Sequence, residues 1–282
     1  MSPELKKRLP LIAAVIVVVA LVVGGTIWWL NGQRWESTDN AFVQADTTLV
    51  SPQLSGRVTE VLVGDNQRVE AGQILVKLDD SDQKAQLAQA EANLAAAVAA
   101  FEGCPLRGMG ATQSVFARGN PNAPVLIVGE GPGADEDRIG QPFVGKAGRL
   151  LDRMLAAAGL TDRVFITNTV FWRPPGNRTP TPQEQAVCAP FVERAFALLK
   201  PRAVLLLGAA SARGVLQAEE GIMKLRGRWQ EWRLAEGGVS APVIPTLHPA
   251  FLLRQPQAKR QVWADLLSLA VRLETDSVEE QG

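Results

Sequence analysis

The sequence predicts an α/β domain with a central, mostly parallel sheet flanked by helices, preceded by a transmembrane helix and a short β segment. Three observations carry this. From about residue 124 onward, apolar runs alternate with helical stretches. Residues 11–30 are apolar and carry no charge. Residues 37–80 alternate apolar and polar side chains.

In the C-terminal part, PVLIVG (124–129), VFITN (164–168), AVLLLG (203–208) and VIPTLH (243–248) read as strands. Residues 145–159, with Leu150, Leu151, Met154 and Leu155 on one face, read as a helix. So do 182–199, opened by Thr181-Pro182, a stretch from Ser211, and 259–272. Parallel sheets collect ligands at the carboxyl ends of their strands, so the loops after those strands hold the candidate site.

The run LIAAVIVVVALVVGGTIWWL at 11–30 matches the ~20 apolar residues that cross a ~30 Å hydrocarbon core. Lys6, Lys7 and Arg8 precede it, and Trp28 and Trp29 stand near its far end. The positive-inside rule then leaves 1–10 as a cytoplasmic basic N-terminus and the rest outside. A cleaved signal peptide is the alternative, but the run ends in Trp-Trp-Leu, not in small residues. Over 37–80, short strands are separated by turns at Gly64-Asp65-Asn66 and Ala71-Gly72. Residues 81–100 form an Ala-rich helix that Ser81 or Asp82 can cap.

Charge is uneven although the total balances. Residues 1–100 hold 8 basic against 11 acidic side chains, and residues 101–282 hold 21 against 18. Four of those acids lie in the tail 274–282, which reads as disordered. The remaining basic excess suits a polyanionic partner. Two cysteines, Cys104 and Cys188, are too few for a disulfide framework.

Four loops gather the unusual residues. GEGPGADEDRIGQPFVGKAG (129–148) is glycine-rich, as a backbone that closely approaches a ligand must be. It is no phosphate loop of the Walker type, because Ala147 follows Gly145-Lys146. The loop from Thr167 carries Asn168, whose amide pairs a donor with an acceptor and suits a nucleobase edge. Arg173 and Arg178 follow in a Pro-rich segment and either meet phosphates or stay solvated. The lone histidine, His248, ends a strand and precedes Pro249. LRGRW (225–229) is basic with an aromatic and is a candidate DNA-facing segment or a solvated charge run.

The N-terminal stretch from STDNAFVQADTTLVSPQLSGRV to DDSDQKAQLAQAEANLAAA resembles the start of a periplasmic adaptor (membrane fusion) protein of multidrug efflux systems. Its β part resembles a partial lipoyl-like segment. An efflux transporter is the partner this implies. Such proteins continue into a second lipoyl half and a barrel, and neither follows here. Lys77 also lacks the Asp and Met that flank a lipoyl acceptor.

The stretches VGEGPGADEDRIGQPFVGKAGRLLDRML, ITNTVFWRPPGNRTPTPQE, CAPFVERAFALLKPRAVLLLG, LRGRW and PTLHPAFLLRQPQAKRQVWADL together resemble the family-four (thermophile-type) uracil-DNA glycosylases. The resemblance implies a glycosylase domain over 101–273 that flips uracil out of DNA and hydrolyses its N-glycosidic bond. By it, Phe143 stacks on uracil, Asn168 reads its edge, and the backbone of Gly129, Glu130 and Gly131 lines the pocket. His248 donates to uracil O2 as the bond breaks. Glu130 or Glu136 positions the attacking water, since Gly131 stands where the best-known members hold Asp. Phe251, Leu252 and Leu253 are wedge candidates, with Arg226, Arg228, Arg254 and Lys259 as DNA contacts. The family's four-iron four-sulfur cluster would fall on Phe101, Cys104, Trp172 and Cys188. Two of four thiolates are then missing, so the cluster is expected to be absent, its presence being the alternative.

The expected organisation is therefore 1–10, the span 11–30, the partial lipoyl-like segment 37–80, the helix 81–100, the glycosylase domain 101–273, expected as a monomer, and the tail 274–282. An inner-membrane anchor conflicts with a cytoplasmic DNA-repair function, which suggests a fused chain. The alternative is an adaptor fragment whose glycosylase-like part is inactive or only binds.

Overall fold

The computed structural model describes residues 3–32, 56–234 and 238–279. It comprises two compact units, 1–55 and 56–282. In the first, α1 (Pro3–Gly32) includes Ala14–Gly32, with a mean hydropathy of 2.1 and thus long and apolar enough to cross a membrane. Lys6, Lys7 and Arg8, which precede the apolar run, lie within the first turns of this helix. The strands expected near residues 41–51 lie outside the described residues.

The second unit opens with an antiparallel pair, β1 (Val58–Val61) and β2 (Val76–Leu78). Val58, Val61 and Val76 remain exposed, so this hairpin buries little. α2 (Ser81–Ala100) behaves differently. Its last turns lie against the domain, with Leu94 and Val98 buried in one core beside Cys104, Phe171, Trp172 and Cys188. A boundary at 100/101 therefore cuts through packed structure. The apolar spacing of Leu94 and Val98, four apart, puts both on one helix face. The N-cap is Asp80, neither Ser81 nor Asp82, and its side chain makes no capping bond.

There follow β3 (Ala117–Gly119), β4 (Val125–Gly129), α3 (Ala134–Ile139), α4 (Lys146–Ala157), β5 (Val164–Asn168) and α5 (Pro182–Leu199). Next come β6 (Ala203–Leu207), α6 (Ala209–Leu216), α7 (Ile222–Leu225), β7 (Gln230–Arg233), β8 (Ser240–Thr246), α8 (Pro249–Arg254) and α9 (Lys259–Glu279). The six strands run β3-β5-β4-β6-β8-β7. The inner four are parallel, and each edge strand is antiparallel to its neighbour. Neither edge was legible as a strand: β3 has three residues, and β7 reads QEWR, without an apolar run.

Two-residue periodicity splits each inner strand between two cores. Leu126, Val128, Phe165, Val204 and Leu206 face one core, with α2 and α5. Val125, Ile127, Val164, Ile166, Leu205 and Ile244 face the other, with α4 and α9. Both faces are covered, so β4, β5 and β6 are buried throughout, and all three read as nearly continuous apolar runs. The tail expected to be disordered from 274 instead continues α9 as helix to Glu279.

Candidate active site

A cavity of ≈ 370 Å³ opens at the carboxyl ends of β4, β5 and β8. Glu130, Gly131, Glu136 and Phe143 line it from the glycine-rich loop, Asn177 and Arg178 from the loop after β5, and His248, Phe251 and Arg254 from the segment after β8. Three loops far apart in sequence thus meet because parallel strands deliver their ends to one edge of the sheet.

Phe143 holds a left-handed backbone, φ 56°. Arg118 pins the turn: its Nε donates to Pro142 O at 2.8 Å, and Nη2 reaches Phe143 O at 3.4 Å and Asp152 at 2.6 Å. Gly148 must be glycine here, since a Cβ would collide with the Phe143 carbonyl. The Phe143 ring lies 5.6 Å from the imidazole of His248, centroid to centroid.

Gly129 and Asn168 are paired at the ends of β4 and β5. Neither is among the residues lining the cavity, yet a side chain at Gly129 would strike both Asn168 Oδ1 and the Phe143 ring. Asn168 is 1 % exposed, and its Oδ1 has no hydrogen-bond partner. A buried acceptor left unpaired costs roughly 1–3 kcal/mol, unless a ligand donates to it. Thr169 ties the same strand ends together: its N donates to Gly129 O at 3.0 Å and its Oγ1 to Glu130 O at 2.7 Å. Gln185 Nε2 in turn donates to Thr169 Oγ1 at 2.9 Å.

His248 is the N-cap of α8, and its Nδ1 accepts from Ala250 N at 3.2 Å. Burial, with Arg254 nearby, holds the imidazole well below its ordinary range, to about 4. At neutral pH it is therefore uncharged, with its proton on Nε2.

Of the two carboxylates considered for the water, Glu136 is committed. Its Oε2 accepts from Gly133 N at 3.1 Å and its Oε1 from Gly145 N at 2.8 Å, bracing the glycine-rich loop. Glu130 lines the cavity without such a role. Gly131 is tight: a Cβ there would lie 2.9 Å from Val170 Cγ2, so a larger residue requires that side chain to shift.

The DNA-contact candidates divide. Arg228, Leu253, Arg254 and Lys259 are exposed, and Phe251 is half-buried at the cavity. Leu252 is fully buried in the core with α9 and is no wedge. Arg226 is also turned inward, pairing with the buried Asp265 and donating to Gln261 O at 2.8 Å. Asp265 also accepts from Thr246 Oγ1 at 2.5 Å, joining the LRGRW loop to the end of β8. Arg118, Thr169, Gln185 and Asp265 were not singled out in the sequence. Their side-chain partners lie 16 to 39 residues away, and no local pattern marks them.

The positions aligned with a cluster do converge, but the donors are wrong. Phe101 and Trp172 stand ring to ring at 6.4 Å, and Phe191 packs on Phe101 at 5.0 Å. Cys188 Sγ donates to Cys104 Sγ at 3.8 Å; that bond, with burial, pushes Cys188 up and keeps it a thiol. No group of three or more His, Cys, Asp or Glu suited to a metal occurs among the described residues. Two touching thiols and two rings do not supply the four thiolates of an iron–sulfur cluster.

A family model described as "Uracil DNA glycosylase superfamily" matches residues 116–267. The chain is similar to the Type-4 uracil-DNA glycosylase of Thermotoga maritima, 42 % identical over 153 residues, covering 54 % of this chain and 77 % of that protein. That of Pyrobaculum aerophilum is 39 % identical over 168 residues, covering 58 % and 84 %. A separate similarity is to the colistin resistance protein EmrA of Acinetobacter baumannii, 44 % identical over 75 residues, but only 21 % of that protein is covered.

Proposed function

The chain belongs to the uracil DNA glycosylase superfamily, and from that premise we propose how its pocket releases uracil from DNA. It is a uracil-DNA glycosylase, a hydrolase of the N-glycosidic bond that leaves an abasic site. The extruded base stacks on Phe143, and Asn168 Oδ1 accepts the uracil N3–H. The single observation that carries this is the buried, unpartnered Oδ1 of Asn168 beside the Phe143 ring.

As the bond to C1′ breaks, negative charge gathers on uracil O2. Neutral His248 donates its Nε2–H there, and its tautomer is set by Ala250 N. A neutral donor needs no counter-charge and gives up no proton. Glu130 orients the water that attacks C1′, since Glu136 is spent on the loop. Leu253 fills the vacated stack, and Arg228, Arg254 and Lys259 take phosphates.

Aromatic packing around Phe101 and Trp172 takes over the support that a cluster would give, and Cys104 and Cys188 are its remnant. We read residues 1–80 as an appended adaptor-like segment with α1 as a membrane anchor, and residues 81–100 as shared with the glycosylase domain through Leu94 and Val98.

The test is uracil release from a deoxyuridine-containing oligonucleotide by the intact chain in detergent, with Asn168→Ala beside it. Release that drops sharply in the variant supports the reading. Equal release by both would remove Asn168 from the pocket, and none by the folded wild type would end the proposal.

A further inference from the structure

Two cations line the cavity, Arg254 from α8 and Arg178 from the loop after β5. Arg178 is held in an unusual way. Its Nη1 and Nη2 donate to the two carboxylate oxygens of Glu184 at 2.8 and 2.6 Å, a fork-to-fork pair. The Glu184 side chain is only 7 % exposed, whereas that of Arg178 is 40 % exposed. Glu184 also accepts from Thr181 N at 2.8 Å, closing the capping box of α5. The Arg178 guanidinium and these bonds hold its carboxyl at about 2, far below the usual carboxylate range. The carboxylate is thus a fixed, covered base plate, and the cation stands on it facing outward.

The remaining donors of that guanidinium are then preset. Nη1 also donates to Thr179 O at 3.1 Å. Nε and the second Nη2 hydrogen are left for a ligand. The neighbouring Arg173 differs: its Nε is tied to Asn177 Oδ1 at 2.7 Å, and it does not line the cavity. The carboxylates Glu130 and Glu136 line the same cavity and oppose a phosphate on their side of it. An extruded nucleotide places a neutral base inside, while its phosphodiesters must stay near the cations.

We propose that Arg178, oriented by Glu184, is a clamp for a phosphodiester flanking the extruded deoxyuridine. This rests on the glycosylase reading of the same cavity. Arg178 binds the substrate, and Glu184 is a positioning residue that acts through it. A planar, pre-oriented guanidinium grips two non-bridging oxygens without losing much rotamer freedom on binding.

The test uses single-turnover uracil release by the intact chain, under subsaturating enzyme, from oligonucleotides whose linkage 5′ or 3′ to the deoxyuridine is a phosphodiester or a neutral methylphosphonate. Hydrogen bonds to charged groups are worth ~1.5–3 kcal/mol, which corresponds to about 10- to 150-fold. The wild type is expected to slow by that factor with one of the two neutral linkages. Arg178→Gln is expected to slow similarly on the native substrate and to be indifferent to that linkage. Arg178→Lys keeps the charge and retains part of the linkage effect, and Glu184→Gln weakens it. If Arg178→Gln slows native and neutral substrates by the same factor, Arg178 only supports the loop and the clamp is wrong. Wild-type speed in Arg178→Gln would overturn it as well. Absence of release by the wild type would instead strike the glycosylase reading, and the clamp with it.

Discussion

The pocket and the aromatic region around Phe101, Cys104, Trp172 and Cys188 lie in one domain, and they are built on opposite rules. Beside the pocket, one buried polar atom, Asn168 Oδ1, is left without a partner. In the aromatic region, Phe101, Phe171, Trp172 and Phe191 pack ring on ring, and the two thiols satisfy each other. An unmet acceptor costs free energy unless a ligand supplies a donor, whereas a close-packed aromatic cluster leaves no space for one. The strand ends thus leave a buried acceptor open beside Phe143, whereas the region of Phe101, Cys104, Trp172 and Cys188 is closed by hydrophobic packing.

Substitutions should separate the two regions. The largest effect on stability is expected from Trp172→Ala, where a 2 % exposed ring among other rings is removed. A loss of about 3–5 kcal/mol is expected, read by denaturant unfolding, with uracil release per folded molecule nearly unchanged. His248→Ala should do the reverse: stability changes little, and single-turnover release falls about 10²- to 10³-fold. A Trp172 variant that folds normally but has lost release would erase the distinction between the regions.

The helix α2 sharpens the comparison from the supporting side. A chain beginning at Phe101 loses Leu94 and Val98 from the core, each worth ~1.5–3 kcal/mol when buried. A chain beginning at Ser81 should melt clearly higher than one beginning at Phe101, with equal release below both transitions. Equal melting would mean that α2 contributes no support.

The smallest expected effect is with pH. His248 titrates near 4 in the folded chain against 6.5 ordinarily, so release should stay level through pH 6.5 and decline only toward 4. Because the folded value is depressed, the unfolded chain binds more protons between 6.5 and 4. The stability contribution of His248 is thus complete above 6.5 and lost as pH falls through that window. A rate inflection near 6.5 that disappears in His248→Ala would contradict a buried neutral imidazole.

Much of this was legible in the sequence, for identifiable reasons. Buried parallel strands such as VLIVG and AVLLL announce themselves as apolar runs, and Phe143, Asn168 and His248 sit in or just before loops of unusual composition. What stayed hidden depends on three-dimensional partners. Arg226 and Glu136 looked available for DNA and water, yet each is consumed by a contact across the fold, with Asp265 and with the amides of Gly133 and Gly145. Leu252 and Leu253 are adjacent and chemically identical, and only the helical turn of α8 decides that one is buried and the other 45 % exposed. The membership of Leu94 and Val98 in the core was masked by an Ala-rich composition and by the helix's resemblance, together with the segment before it, to an efflux adaptor.

One paired measurement bears most directly on the central claim: iron content and uracil release on the same sample of intact chain, purified anaerobically from iron-replete cells. The account predicts full release with iron far below one atom per chain, unaffected by chelator. Stoichiometric iron, with release that disappears when the iron is removed, would contradict it.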